Sequence, residues 1–269
     1  MSHNQLTIRR VLASIRAESG GLIEHLRTLQ PFQWIVNPGN TGDGLIVAGT
    51  REMFRQAGLD FRQVPRDGVQ PDLPVVYGGG GAWCETFGIA ATIVTEAAAI
   101  SPYVLVLPST FEACRLRQVQ HLPHLYLYGR DQHSVTIARD MGFAAEYSPD
   151  PAFWTPPPRP AACGGSGTLA AFRRDRIGTE IPLEPEAQQA DTSRDLSREG
   201  DHTSDDWLLQ QVCRYDCVHT DRLHVAIAAT LSGRDTVLYP NGHNYHKSRE
   251  LYHSTLTHFP NCRMAKGET

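Results

Sequence analysis

The sequence predicts an α/β protein of two Rossmann-like lobes, each a mainly parallel sheet with helices on both faces, the second lobe being short. Three observations carry that expectation. Short apolar runs repeatedly end in a glycine-rich or polar loop and pass into helically spaced residues, the alternation that builds parallel sheets. A proline-dense stretch, Thr155-Pro156-Pro157-Pro158-Arg159-Pro160, admits neither helix nor central strand and marks a stiff boundary. The length of 269 residues exceeds what one ordinary α/β domain needs.

Taken in order, residues 1–29 form a helical lead-in, with Leu6, Ile8, Val11, Leu12, Ile15, Leu22, Ile23 and Leu26 at helical spacing and Gly20-Gly21 as a break. Residues 32–36 read as a strand, 37–44 as a loop, and 45–56 as a helix stopped by Gly58. The pattern recurs in strand 73–77 before Gly78-Gly79-Gly80-Gly81, and in strand 103–107 before Pro108-Ser109-Thr110. Strand 125–128 then precedes Gly129-Arg130-Asp131 and a helix over 134–141. This first lobe occupies 1–155.

The second lobe, 161–250, opens with strand 168–172 and continues with 207–212, strand 217–220, helix 223–231 and strand 235–239. Asn241-Gly242-His243 reads as a turn and 247–256 as a helix. Residues 176–205 are polar, acidic and poor in large apolar groups, so they are expected to form a mobile excursion. The tail 251–269 is expected to pack back on the first lobe.

Composition excludes several classes. A hydrophobic share of 41% and a charged share of 20% exclude a disordered chain, and a net charge of −4 leaves no global field for nucleic acid or an anionic bilayer. The N-terminus lacks the apolar stretch of a signal peptide and no later window approaches a membrane span, so a cytoplasmic protein is expected, with at most peripheral membrane contact. The six cysteines show no zinc spacing and read as reduced; Cys213 and Cys217, four apart, read as small buried hydrophobes before they read as metal ligands.

Any anion site must then be local, and parallel sheets bind ligands beyond the carboxyl ends of their strands. Asn40-Thr41-Gly42-Asp43 joins a strand to a helix, where free N–H groups meet an anion or sugar hydroxyls; the plainer alternative is a tight turn with Asp43 as a helix cap. The Gly78-Gly79-Gly80-Gly81 run implies either close ligand approach or a sharp turn. Arg130 and Ser134 follow a strand and are expected to aim a guanidinium and a hydroxyl into the cleft between lobes, Arg suiting carboxylate or phosphate. Arg173 ends one strand of the second lobe, and Arg222 and His224 open a helix after another. His219, His243 and His246 have no comparable company.

In this order the motifs resemble the polysaccharide pyruvyl transferase family: Asn40-Thr41-Gly42-Asp43, the Gly78-Gly79-Gly80-Gly81 run before Trp83, Leu107-Pro108-Ser109 and Arg130-Asp131-Gln132-His133-Ser134. Asp150-Pro151-Ala152-Phe153, Phe172-Arg173-Arg174-Asp175, Thr220-Asp221-Arg222-Leu223-His224 and Lys247 continue the series. The resemblance implies a fold like the GT-B glycosyltransferases and a phosphoenolpyruvate donor. It also implies a sugar or lipid-linked oligosaccharide acceptor that gains pyruvate as a cyclic ketal, with no cofactor and no catalytic metal. On that footing His224 is the proton donor, Arg222 and Arg173 hold the donor's phosphate and carboxylate, and Asn40, Gly42, Asp43, Gly79, Gly80, Ser109, Arg130, Ser134 and Lys247 border the substrates. The sequence departs from the family in its short second lobe. Two other readings stay open: a nucleotide-sugar glycosyltransferase of similar architecture, and a relative that binds an anion without turnover.

Overall fold

The computed structural model of the protein describes residues 3–158, 164–175, 177–242 and 246–266. The expectations for Arg159 and Pro160, for Cys163 and for the turn residue His243 lie outside these residues. Helices α1 (His3–Glu18) and α2 (Gly20–Leu29) open the chain, with the break at Ser19.

Seven strands form the first sheet: β1 (Phe32–Ile35), β2 (Phe61–Val64), β3 (Val75–Tyr77), β4 (Gly80–Trp83), β5 (Val104–Phe111), β6 (Leu125–Gly129) and β7 (Ala144–Tyr147). Their order is β2-β1-β3-β5-β6-β7, with β4 beside the end of β5, and every pair is parallel. The interleaved helices are α3 (Thr41–Ala57), α4 (Ile89–Ala98), α5 (Ala113–Leu116) and α6 (Gln132–Asp140). Val104, Leu105, Val106 and Leu107 are all fully buried. A central strand covered on both faces needs apolar residues at successive positions, which is why β5 reads as an unbroken hydrophobic run.

The second sheet holds β8 (Thr168–Ala171), β9 (Thr192–Ser193), β10 (Cys217–Thr220), β11 (Asp235–Leu238) and β12 (Cys262–Met264), in the order β12-β11-β10-β8-β9 and parallel throughout. Its helices are α7 (Pro185–Gln188), α8 (Trp207–Val212), α9 (Leu223–Leu231) and α10 (Lys247–Ser254). All residues of α9 except His224 are buried. Such a helix needs small side chains on several faces, and Ala226, Ala228 and Ala229 supply them.

The chain divides into two compact units, one made of Arg16–Pro38 and Gly49–Trp154 and carrying the first sheet, the other of Met1–Ile15, Gly39–Ala48 and Thr155–Thr269 and carrying the second. The Asn40-Thr41-Gly42-Asp43 motif, which follows a strand of the first sheet in sequence, therefore packs within the second-sheet unit.

Several expectations need correction. Helix α3 begins at Thr41 rather than near 45, because a polar first turn supplies its own caps. Gly80 and Gly81 belong to a strand, β4, instead of a loop. Residues 176–205, expected to be mobile, contribute α7 and β9 and bury Ile177, Ala187, Asp195, Leu196 and Ser197. The tail adds β12 to the edge of the second sheet, parallel to β11, with Cys262 and Ala265 buried there. Cys213 is disulfide-bonded, whereas Cys84, Cys114, Cys217 and Cys262 are free. No described helix is long and apolar enough to cross a membrane.

Strand order locates two crevices. From β1 the chain moves outward to β2, while from β3 it moves the other way to β5; from β8 it moves to β9, and from β10 the other way to β11 and β12. Such reversals leave a gap beyond the carboxyl ends of the two strands concerned, where α/β proteins bind ligands. The loops flanking the first gap carry Asn37 and Gly78; those flanking the second carry Arg173 and the Asp221-Arg222-Leu223-His224 segment.

Candidate active site

In the second-sheet unit, Asp221 is the first residue beyond β10 and is 1% exposed. Its carboxylate accepts the backbone N–H groups of Arg173 (2.8 Å) and Thr179 (3.0 Å), tying the loop after β8 to the end of β10. Burial raises its pKa, and those two N–H bonds only partly offset the effect. Its carbonyl accepts from Asn241 Nδ2 at 2.9 Å, and Asn241 Oδ1 accepts the Ser248 hydroxyl. That chain anchors the first turn of α10, where Lys247 lies.

Arg222 occupies the N-cap of α9. A guanidinium has no acceptor, so it gives the first N–H groups of the helix no cap, and these keep the partial positive charge that favours anions. The side chain instead forks onto Asp195, Nε to Oδ1 at 2.9 Å and Nη2 to Oδ2 at 2.6 Å. Arg173 forks onto Asp175 at 2.9 and 3.0 Å, and Asp175 Oδ2 also lies 3.6 Å from Arg222 Nη2. Burial works to raise the Asp175 pKa, but the Arg173 hydrogen bond and charge, the Ile177 N–H and Arg222 outweigh it and hold the carboxyl below its ordinary value.

The loop opening α3 meets this cluster. Asn40 Oδ1 accepts the N–H of Gly42 (2.8 Å) while Asp43 Oδ2 accepts that of Asn40 (2.9 Å), a reciprocal capping box. The cap reading of this loop thus holds for both polar residues. Gly42 has a different reason: a Cβ there would stand 2.8 Å from His224 Nδ1 and 3.0 Å from His224 Cβ, so only glycine admits the imidazole this close. Residues of the 192–204 stretch cover the same loop. Asn40 bridges Asp201, the Thr41 hydroxyl donates to the Leu196 carbonyl at 3.2 Å, and Gly39 N–H donates to His202 Nδ1 at 3.3 Å.

The second group of expected site residues lies in the first-sheet unit and is turned inward. Arg130 is fully buried, Nη1 donating to Asp150 Oδ2 at 2.7 Å and Nε to Thr110 Oγ1 at 2.8 Å, with Asp150 equally buried. Ser134 is held inward as well: its N–H donates to Oδ1 of Asp131, the N-cap of α6, at 2.7 Å, and its hydroxyl accepts from Phe111 N–H at 3.0 Å. Ser109 donates to the Leu107 carbonyl at 2.8 Å. The expectation that Arg130 and Ser134 face a cleft is corrected, because a charge this deep persists only when paired, and Asp150 pairs it. A Cβ on Gly78 would lie 2.7 Å from Asn37 N and one on Gly79 2.4 Å from the Pro108 carbonyl, while Gly80 takes φ +120°. Close backbone packing accounts for these glycines.

The family model for polysaccharide pyruvyl transferase matches residues 40–243. The chain belongs to the polysaccharide pyruvyl transferase family. The match begins at the Asn40 cap and runs past His224, so in this family member both groups of residues fall inside it and Lys247 just outside. The crystal structure of a functionally uncharacterised protein from Klebsiella pneumoniae subsp. pneumoniae shares the α/β fold, with a TM-score of 0.76 at 20% identity over 99% of this chain and 100% of that one. No curated protein matches the chain.

Of the expected residues, the second-sheet unit of this pyruvyl transferase family member thus gathers Asn40, Gly42, Asp43, Arg173, Arg222 and His224, with Lys247 on a helix tied to Asp221. Sequence reasoning missed Asp195, which sits in the stretch set aside as mobile, and gave no role to Asp175 and Asp221. Among the described residues no group of three His, Cys, Asp or Glu side chains is placed to hold a metal ion.

Proposed function

We propose that the protein transfers pyruvate from phosphoenolpyruvate to two hydroxyls of a sugar in an exopolysaccharide or cell-surface glycan precursor, forming a cyclic ketal in the cytoplasm. The kinship of its two sheets with GT-B glycosyltransferases is part of the same proposal. The family supplies the pyruvyl chemistry; the observation that carries the reading to particular residues is the placement of Arg222 and His224 at the uncapped N-terminus of α9, with the Arg173 loop tied to the same strand end through Asp221, at a strand-order reversal. A donor bearing a carboxylate and a phosphate needs planar cationic forks and fixed N–H dipoles, and these elements provide both.

In the mechanism, protonated His224 gives a proton to the donor's methylene carbon, and positive charge develops on the adjacent carbon. The first sugar hydroxyl attacks that carbon, phosphate departs, and the second hydroxyl closes the ketal. Two protons leave the hydroxyls; one restores His224 and the other goes with the phosphate, so the balance closes without a redox partner or cofactor. Histidine suits the acid role because it exchanges protons near neutrality. Arg173 and Arg222 orient the donor, Gly42 leaves room for the imidazole, and Lys247 adds positive charge beside them.

The test is phosphate release from phosphoenolpyruvate by the whole chain with a panel of sugar glycosides. Acceptor-dependent release is expected, reduced about 100- to 10,000-fold in His224→Ala. Near-normal turnover in that variant removes His224 from the mechanism. Thermal stabilisation by a sugar nucleotide and none by phosphoenolpyruvate removes the donor.

A further inference from the structure

The guanidiniums of Arg173 and Arg222 are both already engaged by carboxylates, those of Asp175 and Asp195, so a donor that is itself an anion meets forks that are taken. A carboxylate must give way, and the two differ in their ability to do so. The Asp195 side chain is 3% exposed, holds Arg222 by both oxygens and also accepts the N–H of Arg174 at 3.2 Å. Withdrawing it strands a buried guanidinium, so it is a permanent counter-ion. The Asp175 side chain is 36% exposed and lies over arginines that are 4% and 8% exposed, touching both. Its Oδ1 also accepts the N–H of Ile177 at 3.1 Å, a tie within its own turn that does not involve the arginines.

We propose that Asp175 is an internal occupant of the donor's carboxylate subsite, and that the donor's carboxylate binds by exchanging with it on Arg173 and Arg222. The inference rests on phosphoenolpyruvate being the donor. A carboxylate replaces a carboxylate, so the planar fork geometry is kept ready while the site is empty of substrate. Donor affinity is lowered by the fraction of time Asp175 stays seated, and removing its charge acts opposite to the usual loss of a site residue.

The test is calorimetric titration of phosphoenolpyruvate into the whole chain, wild type against Asp175→Asn, which retains an acceptor for Ile177 N–H, and Asp175→Ala, which does not. The Kd is expected to fall roughly tenfold in both, the effect of a seat open about a tenth of the time. Glu199→Gln removes a carboxylate paired with Arg194 elsewhere on the 176–205 stretch and is expected to leave the Kd unchanged. Equal or weaker binding by the Asp175 variants, or equal tightening in Glu199→Gln, overturns the proposal while the donor reading stands. Loss of folding in both Asp175 variants also overturns it, since a carboxylate the fold cannot release is not exchangeable. Failure of the wild type itself to bind phosphoenolpyruvate removes the donor reading and this proposal together.

Discussion

Beyond the first sheet, the arginine that follows β6 is wholly buried on one aspartate, and the glycines after β3 press against neighbouring backbone. Beyond the second, the arginines that follow β8 and β10 share one aspartate that is a third exposed, the latter arginine also holds a buried one, and a half-buried histidine lies in the first turn of the helix that follows. In sequence the two regions look alike: a strand, then arginine and aspartate, then a helix. What separates them is whether the carboxylate that meets the arginine can reach solvent. A pair sealed from water contributes to holding the loops together, whereas a pair with an exposed member can trade partners with a soluble anion.

The largest expected effect that would break this contrast is on stability. Arg130→Ala strands the buried Asp150 carboxylate and is expected to cost about 3–5 kcal/mol in urea unfolding, whereas replacing both members by apolar residues of similar volume recovers most of it. A loss of donor affinity at unchanged stability would instead place Arg130 in a binding site and erase the distinction. Gly42→Ala sharpens the other side. The added methyl displaces His224, so turnover is expected to fall about ten- to a hundredfold. Unfolding free energy should shift by no more than about 1 kcal/mol, because alanine's helix preference offsets part of the crowding. Unchanged turnover would mean that the imidazole position is immaterial.

The smallest effect lies at the edge of the second sheet, where Glu184 forks onto Arg263 of β12. The Arg263 hydrogen bond lowers the Glu184 pKa from 4.5 to about 2, against the opposing effect of burial. Because the folded value lies below the ordinary one, the contribution is complete above 4.5 and is lost as pH falls toward about 2. Glu184→Gln is therefore expected to cost about 0.5–1 kcal/mol at neutral pH, and the difference should vanish on acidification through that window. A pH-independent difference would assign the effect to packing.

Much of the fold was legible because strands buried on both faces announce themselves. The 223–231 helix and the 217–220 strand appear at the residues their apolar patterns mark. Features whose stability comes from polar bonds were not legible. The first turn of α3 looks like a loop because Thr41, Gly42 and Asp43 are poor helix residues until the capping box is counted. The 176–205 stretch looks unstructured because the partners of its polar groups, such as Arg222 for Asp195 and Gln211 for Arg194, lie outside it. Strand β12 is three residues long, too short for a period to show. For the candidate site, position after a strand pointed to Arg173, Arg222 and His224, which fall in one compact unit, but nothing local marks which aspartates pair with the two arginines.

The placement of Gly39–Ala48 has a consequence for modularity. The proline run invites division of the gene at residue 155, yet a polypeptide from there onward lacks the glycine against which His224 rests and the loop that the 192–204 stretch covers. The half of this protein that carries His224 is therefore not a heritable cassette. Recombination that swaps the C-terminal portion between relatives must carry a compatible Asn40–Gly44 segment from the other end of the chain, or the histidine loses the neighbour that fits it.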